Sequence, residues 1–280
     1  MSSKFDDKYN NCPICKSPNI FHFHRDFRNN DIYKCRACTV QFMNPVYSDA
    51  YLQEYYSTYI DPAYSPKYLD EQKETCEENF SIIERYISHK GHMLDFGLGN
   101  GGHSNFAKNR GWHVTGYDVD CDTTSRIAKD VGIDVFCGNF EQVDWQGKQF
   151  ELLYAHHVVE HLKDPVKQLK ALRQLLTDEG CFYIGVPNIS SLASRLKFAF
   201  EKLGVRKKNI GKYYDTDHHV FYYTPQSMSK LLTAAGFDIV YQSNATKPRP
   251  YQNKLVKLFR KNVLNKLYAN TAFFVMARKK

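Results

Sequence analysis

The chain has 280 residues, 42% hydrophobic and 24% charged, with 38 lysines and arginines against 30 aspartates and glutamates. That balance excludes a disordered polymer and supplies core for one domain of roughly 200 residues plus an accessory piece. The formal charge of +8 favours anionic partners, and with neither a secretory leader nor a bilayer-length apolar run, a cytoplasmic setting is expected.

Residues 1–10 read as a polar, frayed tail. Cys12-Pro-Ile-Cys15 and Cys35-Arg-Ala-Cys38 follow. Two such C-x-x-C pairs at this separation predict a zinc ribbon over 1–45, with four sulfurs closing a tetrahedral, structural site. So short a segment buries too little core to fold unaided, and the metal supplies much of its stability. His22 and His24 are expected on surface strands. Cys76, Cys121, Cys137 and Cys181 are scattered singly, and no disulfide is expected among them.

Residues 46–90 form a tyrosine-rich connector and a helix. Tyr51, Tyr55 and Tyr59 recur at helical spacing before Pro62 and Pro66. Packing between ribbon and main domain is the first reading of these tyrosines, and a lid over a ligand cleft the second. Leu69, Cys76, Phe80, Ile83 and Ile87 mark one face of an amphipathic helix.

From 91 to 280, strands near 92–96, 113–117, 134–137, 150–156 and 181–186 alternate with helices. One helix carries Val166, Leu169, Leu172 and Leu176; a later one carries Met228, Leu231, Leu232 and Ala235. Strands near 237–242 and 271–278 follow. Such alternation predicts an α/β doubly wound, Rossmann-like sheet, with ligands at the strands' carboxyl ends. The stretch L-D-F-G-L-G-N-G-G at 94–102 joins an apolar strand to a helix through a glycine-rich turn. About twenty residues on, Asp118 stands where a neighbouring strand presents an acid to ribose hydroxyls. Gly97, Gly99 and Gly102 also fit the dinucleotide pattern of a dehydrogenase. Asp95 argues against that, because a carboxylate there repels a pyrophosphate and suits a ligand bearing an ammonium group. Two basic stretches break the alternation, 189–217 and 247–280. The second holds Leu255, Leu258, Phe259, Val263 and Leu267 opposite lysines and an arginine. They suit a nucleotide-sugar diphosphate, an anionic membrane surface or RNA.

In D-F-G-L-G-N-G at 95–101, G-Y-D-V-D at 116–120, G-N-F-E at 138–141, F-E-L-L-Y-A-H-H-V-V-E-H-L-K-D-P at 150–165 and A-A-G-F-D-I-V at 234–240, the chain resembles class I S-adenosylmethionine-dependent methyltransferases. The resemblance implies a sheet with an antiparallel edge strand and S-adenosyl-L-methionine as cofactor. It implies that Gly97, Gly99 and Gly101 let the loop approach the cofactor, with Asp95 near its amino group, directly or through water. Asp118 would accept the ribose hydroxyls, Val119 would lie against the adenine, Asn139 and Phe140 would flank the base, and His156 would sit near the sulfonium. Asn139 departs from the acid usual at its position. The four-cysteine front followed by N-P resembles methyltransferases of surface-glycan and other small-molecule pathways. A small-molecule or glycan-precursor acceptor is thus expected, with an RNA methyltransferase as the alternative.

Methyl transfer to an alcohol needs a base, and histidine titrates in the right range. His157 and His219 are the candidates, not separated by sequence. Glu160 and His161 read first as packing elements. H-x-x-E-H at 157–161 with His219 is a second, divalent-metal reading, in which His157 replaces a carboxylate and disfavours magnesium.

Overall fold

The computed structural model describes residues 4–58, 66–204, 214, 216–245 and 271–280. Tyr59, Pro62, the basic residues at 206–212 and the apolar face at 255–267 lie outside the described residues. In chain order the elements are β1 (Ile20–Arg25), β2 (Asp31–Cys35), β3 (Gln41–Met43), α1 (Asp49–Thr58), α2 (Pro66–Ile83), β4 (His92–Phe96), α3 (Gly102–Asn109), β5 (His113–Asp118), α4 (Cys121–Ile127) and β6 (Asp134–Cys137). Then come β7 (Phe150–His156), α5 (Pro165–Leu175), β8 (Leu176–Pro187), α6 (Leu192–Lys202), β9 (Phe221–Tyr222), α7 (Pro225–Ala235), β10 (Phe237–Ala245) and β11 (Ala272–Lys279).

The larger sheet has the order β10-β11-β8-β7-β4-β5-β6. Pairings from β8 through β7, β4 and β5 to β6 are parallel. β11 runs against both β8 and β10, giving the antiparallel hairpin at that side. Both faces are covered, as a parallel sheet requires. On β7 the alternation is plain: Leu153 and Ala155 enter one core cluster with Leu169 and Leu172 of α5. Leu152 and Tyr154 enter the other, with Phe80 of α2 and Ala107 of α3, because successive strand side chains point to opposite faces.

The two helices on the first face are locally specified. α5 starts at Pro165 behind Asp164, whose carboxylate accepts from the Lys167 N–H. Leu176, expected on its apolar stripe, instead opens β8 and stays buried. α7 has Pro225 in its first turn, a reciprocal Thr224–Ser227 capping box and Gly236 at φ 83° as its C-cap. These are the start and stop signals that satisfy orphaned helix-end groups.

The ribbon is not an isolated sheet. Its strands order as β1-β2-β3-β9, so Gln41 and Phe42 pair with Tyr222 and Phe221 of the large domain. Val40, Phe42 and Met43 belong to the same core cluster as the α5 face. The N-terminal tail is likewise not frayed from Lys4 onward. Phe5 stacks on Tyr47 at 5.2 Å, and the Tyr9 hydroxyl donates to the Lys163 carbonyl at 2.9 Å. The polar composition concealed these two aromatic anchors.

The cysteine expectation also needs correction: Cys121 and Cys137 form a disulfide, with Cα atoms 5.1 Å apart. Parallel pairing sets Cys137 opposite Asp118, and Cys121 follows three residues later. Sixteen residues of separation hid a proximity that the β5–α4–β6 crossover creates. Among the described residues no helix is long and apolar enough to cross a membrane.

Candidate active site

The loop after β4 is fastened from below, where Gly97 and Leu98 both donate to the Tyr117 carbonyl of β5, at 2.8 and 2.9 Å. Gly97, Gly99 and Gly101 all have positive φ, at 87°, 52° and 73°. Their surroundings differ. A Cβ on Gly97 would stand 2.2 Å from Val158 Cγ2, and one on Gly101 would stand 2.4 Å from Ile127 Cγ2. Beside Gly99 nothing lies within 4 Å. So packing inside the protein requires glycine at 97 and 101 in shaping this loop, and Gly99 opens the bare backbone to space.

Asp118 ends β5 beside that opening. Its Oδ2 accepts from the Gly99 N–H at 3.0 Å and its Oδ1 from the Val119 N–H at 2.7 Å. Burial raises its pKa against these donors, which lower it. Oδ1 also accepts from the Asp120 N–H at 3.5 Å, so Oδ2 is the oxygen that keeps a further lone pair for a hydroxyl. Val119 is 51% exposed, an apolar side chain left uncovered next to the acid. Asn139 is exposed and caps a short 3₁₀ turn by accepting from Glu141 N–H. Phe140, expected to flank a base, is buried edge-on to Phe96 and Tyr117. Its ring is a core element, because the 3₁₀ turn at 140–142 directs it inward. Asp95 is buried as well, accepting from the Ser104 hydroxyl at 2.7 Å. Burial pushes its carboxyl up to about 7, with Ser104 pulling down and the Asp118 charge pushing up.

The carboxyl end of β7 carries the histidines. His156 stacks over Tyr154 and meets His103 of α3 edge-on at 4.8 Å. His103 was not singled out from sequence, although its place just after the glycine loop was a usable signal. Burial, with His157 adding to it, lowers His103 to about 4, so the ring is neutral at pH 7. His157 adopts φ 59°, a left-handed conformation costing a non-glycine residue roughly 1–2 kcal/mol. Its N–H donates to the Gly185 carbonyl at 2.8 Å, and its ring stands edge-on to that of His156, with centroids 4.5 Å apart. Nδ1 of His157 lies 3.1 Å from Glu160 Oε1. The Glu160 side chain is 1% exposed against 39% for His157. Burial alone would raise the Glu160 carboxyl; the His157 hydrogen bond and the charges of His157 and His161 outweigh it and hold it below the usual range.

His219, the other candidate base, sits differently. Burial drives its pKa well below the ordinary value, with His218 and His157 adding to the effect. It packs edge-on to His161 and His218, at 4.8 and 4.6 Å. Burial likewise lowers His161 to about 3, with the Glu160 charge opposing and His219 and His218 reinforcing. The tyrosines of α1 cover this group: Tyr55 Oη is 3.1 Å from His218 Nδ1, and Tyr56 Oη is 3.2 Å from His161 Nδ1. Tyr51 turns instead to Tyr47, 4.5 Å away. Sequence reasoning named the tyrosine repeat but not its histidine partners, which are more than a hundred residues distant.

The ribbon cysteines converge. Cys12 and Cys38 Sγ are 3.5 Å apart and Cys15 and Cys35 Sγ 3.6 Å, with all four sulfurs within 4.8 Å of one another. Each pair is a tight knuckle: Lys16 N–H donates to Cys12 O and Thr39 N–H to Cys35 O, with Lys16 and Thr39 at positive φ. None of the four is in a disulfide. Four thiols so arranged fit a closed tetrahedral zinc site.

A mostly parallel sheet with an open glycine turn after β4 and an acid at the end of β5 has the arrangement of a doubly wound nucleotide-binding fold. Residues 68–242 match the family model described as Methyltransferase domain, and the chain belongs to that family. It is a methyltransferase by family, and the dehydrogenase reading of the glycine pattern falls away. Among solved structures it is similar to the 1,6-didemethyltoxoflavin-N1-methyltransferase of Burkholderia thailandensis, solved with 1,6-didemethyltoxoflavin and S-adenosylhomocysteine. Identity is 16% and the TM-score 0.56, covering 92% of this chain and 99% of that one. A S-adenosylmethionine-dependent methyltransferase from Clostridium acetobutylicum matches at 11% identity and TM-score 0.52, over 81% of this chain and 98% of that one. The plantazolicin methyltransferase BpumL in complex with SAH matches at 16% and 0.51, over 83% and 91%. At such identities the likeness concerns the fold. No curated protein matches the sequence.

Proposed function

We propose that the chain methylates a hydroxyl or amine of a small-molecule acceptor, with His157 as the base and the four-cysteine ribbon as a structural zinc module. S-adenosylmethionine, when bound, supplies an activated methyl group on a sulfonium. Gly99 admits the nucleoside, Asp118 holds its ribose and Val119 covers one face of the adenine. Asn139 offers its amide to the base edge. Asp95 acts on the ammonium group from beneath the loop, through water. His156 and His103, which meet edge-on, line the sulfonium side, and burial keeps the His103 ring neutral.

The observation that carries the proton-transfer assignment is the His157–Glu160 pair. A half-exposed imidazole fixed by a buried carboxylate is oriented to take a proton and stabilised once it holds one. His219 lacks such a partner among the described contacts, and burial disfavours its charged form. Small-molecule acceptors are supported by the toxoflavin-type and plantazolicin relatives in fold. A phosphate-bearing glycan precursor belongs to the same class, and Arg195, Lys197 and Lys202 of α6 would supply its cations.

Calorimetry with S-adenosylhomocysteine on the wild type and Asp118→Ala tests the cofactor half. Loss of charged hydrogen bonds worth roughly 1.5–3 kcal/mol predicts a drop of about 10–100-fold, with zinc content intact. Unchanged affinity would mean that the nucleoside lies elsewhere. Metabolite profiling of a deletion strain for a product lacking one methyl group then identifies the acceptor.

A further inference from the structure

His161 follows β7, and His218 and His219 precede β9, yet one donor nitrogen from each lies within 4.8 Å of one from each of the others. The rings of His161 and His218 stack at 4.8 Å and 8°, and His219 stands edge-on to both. Two phenols hold the far side: Tyr56 Oη meets His161 Nδ1, and Tyr55 Oη meets His218 Nδ1. Beside them Glu160 is buried, with Oε2 lacking a hydrogen-bond partner.

We propose that His161, His218 and His219 bind a divalent first-row transition ion of zinc-like character, at a site separate from the four cysteines. Three observations converge on a cation. First, a metal-ligating histidine normally gives its second ring nitrogen to an oxygen partner that fixes its orientation; Tyr55 and Tyr56 do this for two of the three rings, and Nε2 of each is then the donor. Second, the uncompensated Glu160 oxygen supplies negative charge next to the site, and an unpaired buried carboxylate oxygen is otherwise costly. Third, the ligand set is all nitrogen, which suits zinc, cobalt or nickel and disfavours magnesium or calcium, whose shells are built from oxygen.

Nitrogens bound to one tetrahedral ion stand about 3.4 Å apart, given bonds of about 2.0–2.1 Å. Binding therefore draws together three nitrogens that stand up to 4.8 Å apart without the ion. Three protein ligands leave a coordination position for water or for an acceptor oxygen, in contrast to the closed thiolate site. This last role rests on the methyltransferase reading; metal binding itself does not.

The test counts metal on the tag-free, full-length protein. Wild type and the variants His161→Asn, His218→Gln and His219→Asn are incubated with cobalt(II) or zinc(II), freed of excess, and assayed by plasma mass spectrometry. Wild type should retain two equivalents and each variant one. The second cobalt should give a ligand-field spectrum without the sulfur-to-metal charge-transfer band of the thiolate site. One equivalent in wild type, or a second equivalent that survives all three substitutions, overturns the proposal. Should a variant fail to fold, the wild-type count and cobalt spectrum still decide. No cofactor or acceptor enters the assay, so its failure is distinct from a failure of the methyltransferase assignment.

Discussion

Glu160 and His157 face each other across 3.1 Å, one buried and the other open to the cleft. The 3₁₀ turn at Val159–His161 brings them together, and the Glu160 carbonyl accepts from the Val220 N–H, tying the turn to the segment before β9. In the proposed reaction Glu160 positions His157. Glu160→Gln keeps the shape and removes the charge. It should lower kcat by about 10²-fold while KM for S-adenosylmethionine stays put, since general-base catalysis contributes about 10²–10⁴. Steady-state kinetics would refute the pairing if kcat were unaltered.

The glycine loop gives a contrast between two alanine substitutions. Gly97→Ala forces a Cβ to 2.2 Å from Val158 and adds left-handed strain, so it should cost about 2–4 kcal/mol of stability. Gly99→Ala meets open space, so strain alone, about 1–2 kcal/mol, applies. Its defect should appear as weaker S-adenosylhomocysteine binding, by about tenfold or more, because the methyl group enters the ligand's space. Denaturant titration and calorimetry separate the two. Gly99→Ala protein that binds normally would displace the nucleoside from this loop.

Asp95 links pH to stability. Burial raises its folded pKa to about 7, above the unfolded value of about 3.9. The stabilising contribution is therefore complete below about pH 4 and is lost as pH rises through about 7. Asp95→Asn keeps an acceptor for Ser104 and never ionises. Relative to wild type, that variant should gain stability between pH 5 and pH 8, by up to about 4 kcal/mol for a shift of roughly three units. Parallel stability–pH curves for the two proteins would contradict it.

Zinc removal should reach the active site. β3 pairs with β9 through Phe42 and Phe221, and His218 and His219 stand immediately before β9. With zinc on the four thiols as proposed, its loss through Cys35→Ser with Cys38→Ser should unfold the ribbon strands, release β9 and abolish methyl transfer. Full activity in zinc-depleted protein would show the ribbon to be energetically independent.

Much of this protein was written in local sequence. The strands of the large sheet, the caps of α5 and α7, the two cysteine knuckles and the glycine turn all follow from period, capping chemistry and spacing, which act within a few residues. Asp118 could be placed because the strand–helix–strand unit has a nearly fixed length. Long-range contacts were a different matter. The disulfide of Cys121 with Cys137, the strand that β9 lends to the ribbon, and the tyrosines of α1 over His161 and His218 depend on which elements the core brings side by side. Nor could composition tell Gly99, which faces open space, from Gly97 and Gly101, which face side chains. A residue type records what a position tolerates, whereas the neighbour that imposes the constraint is chosen only when the sheet and its covering layers close.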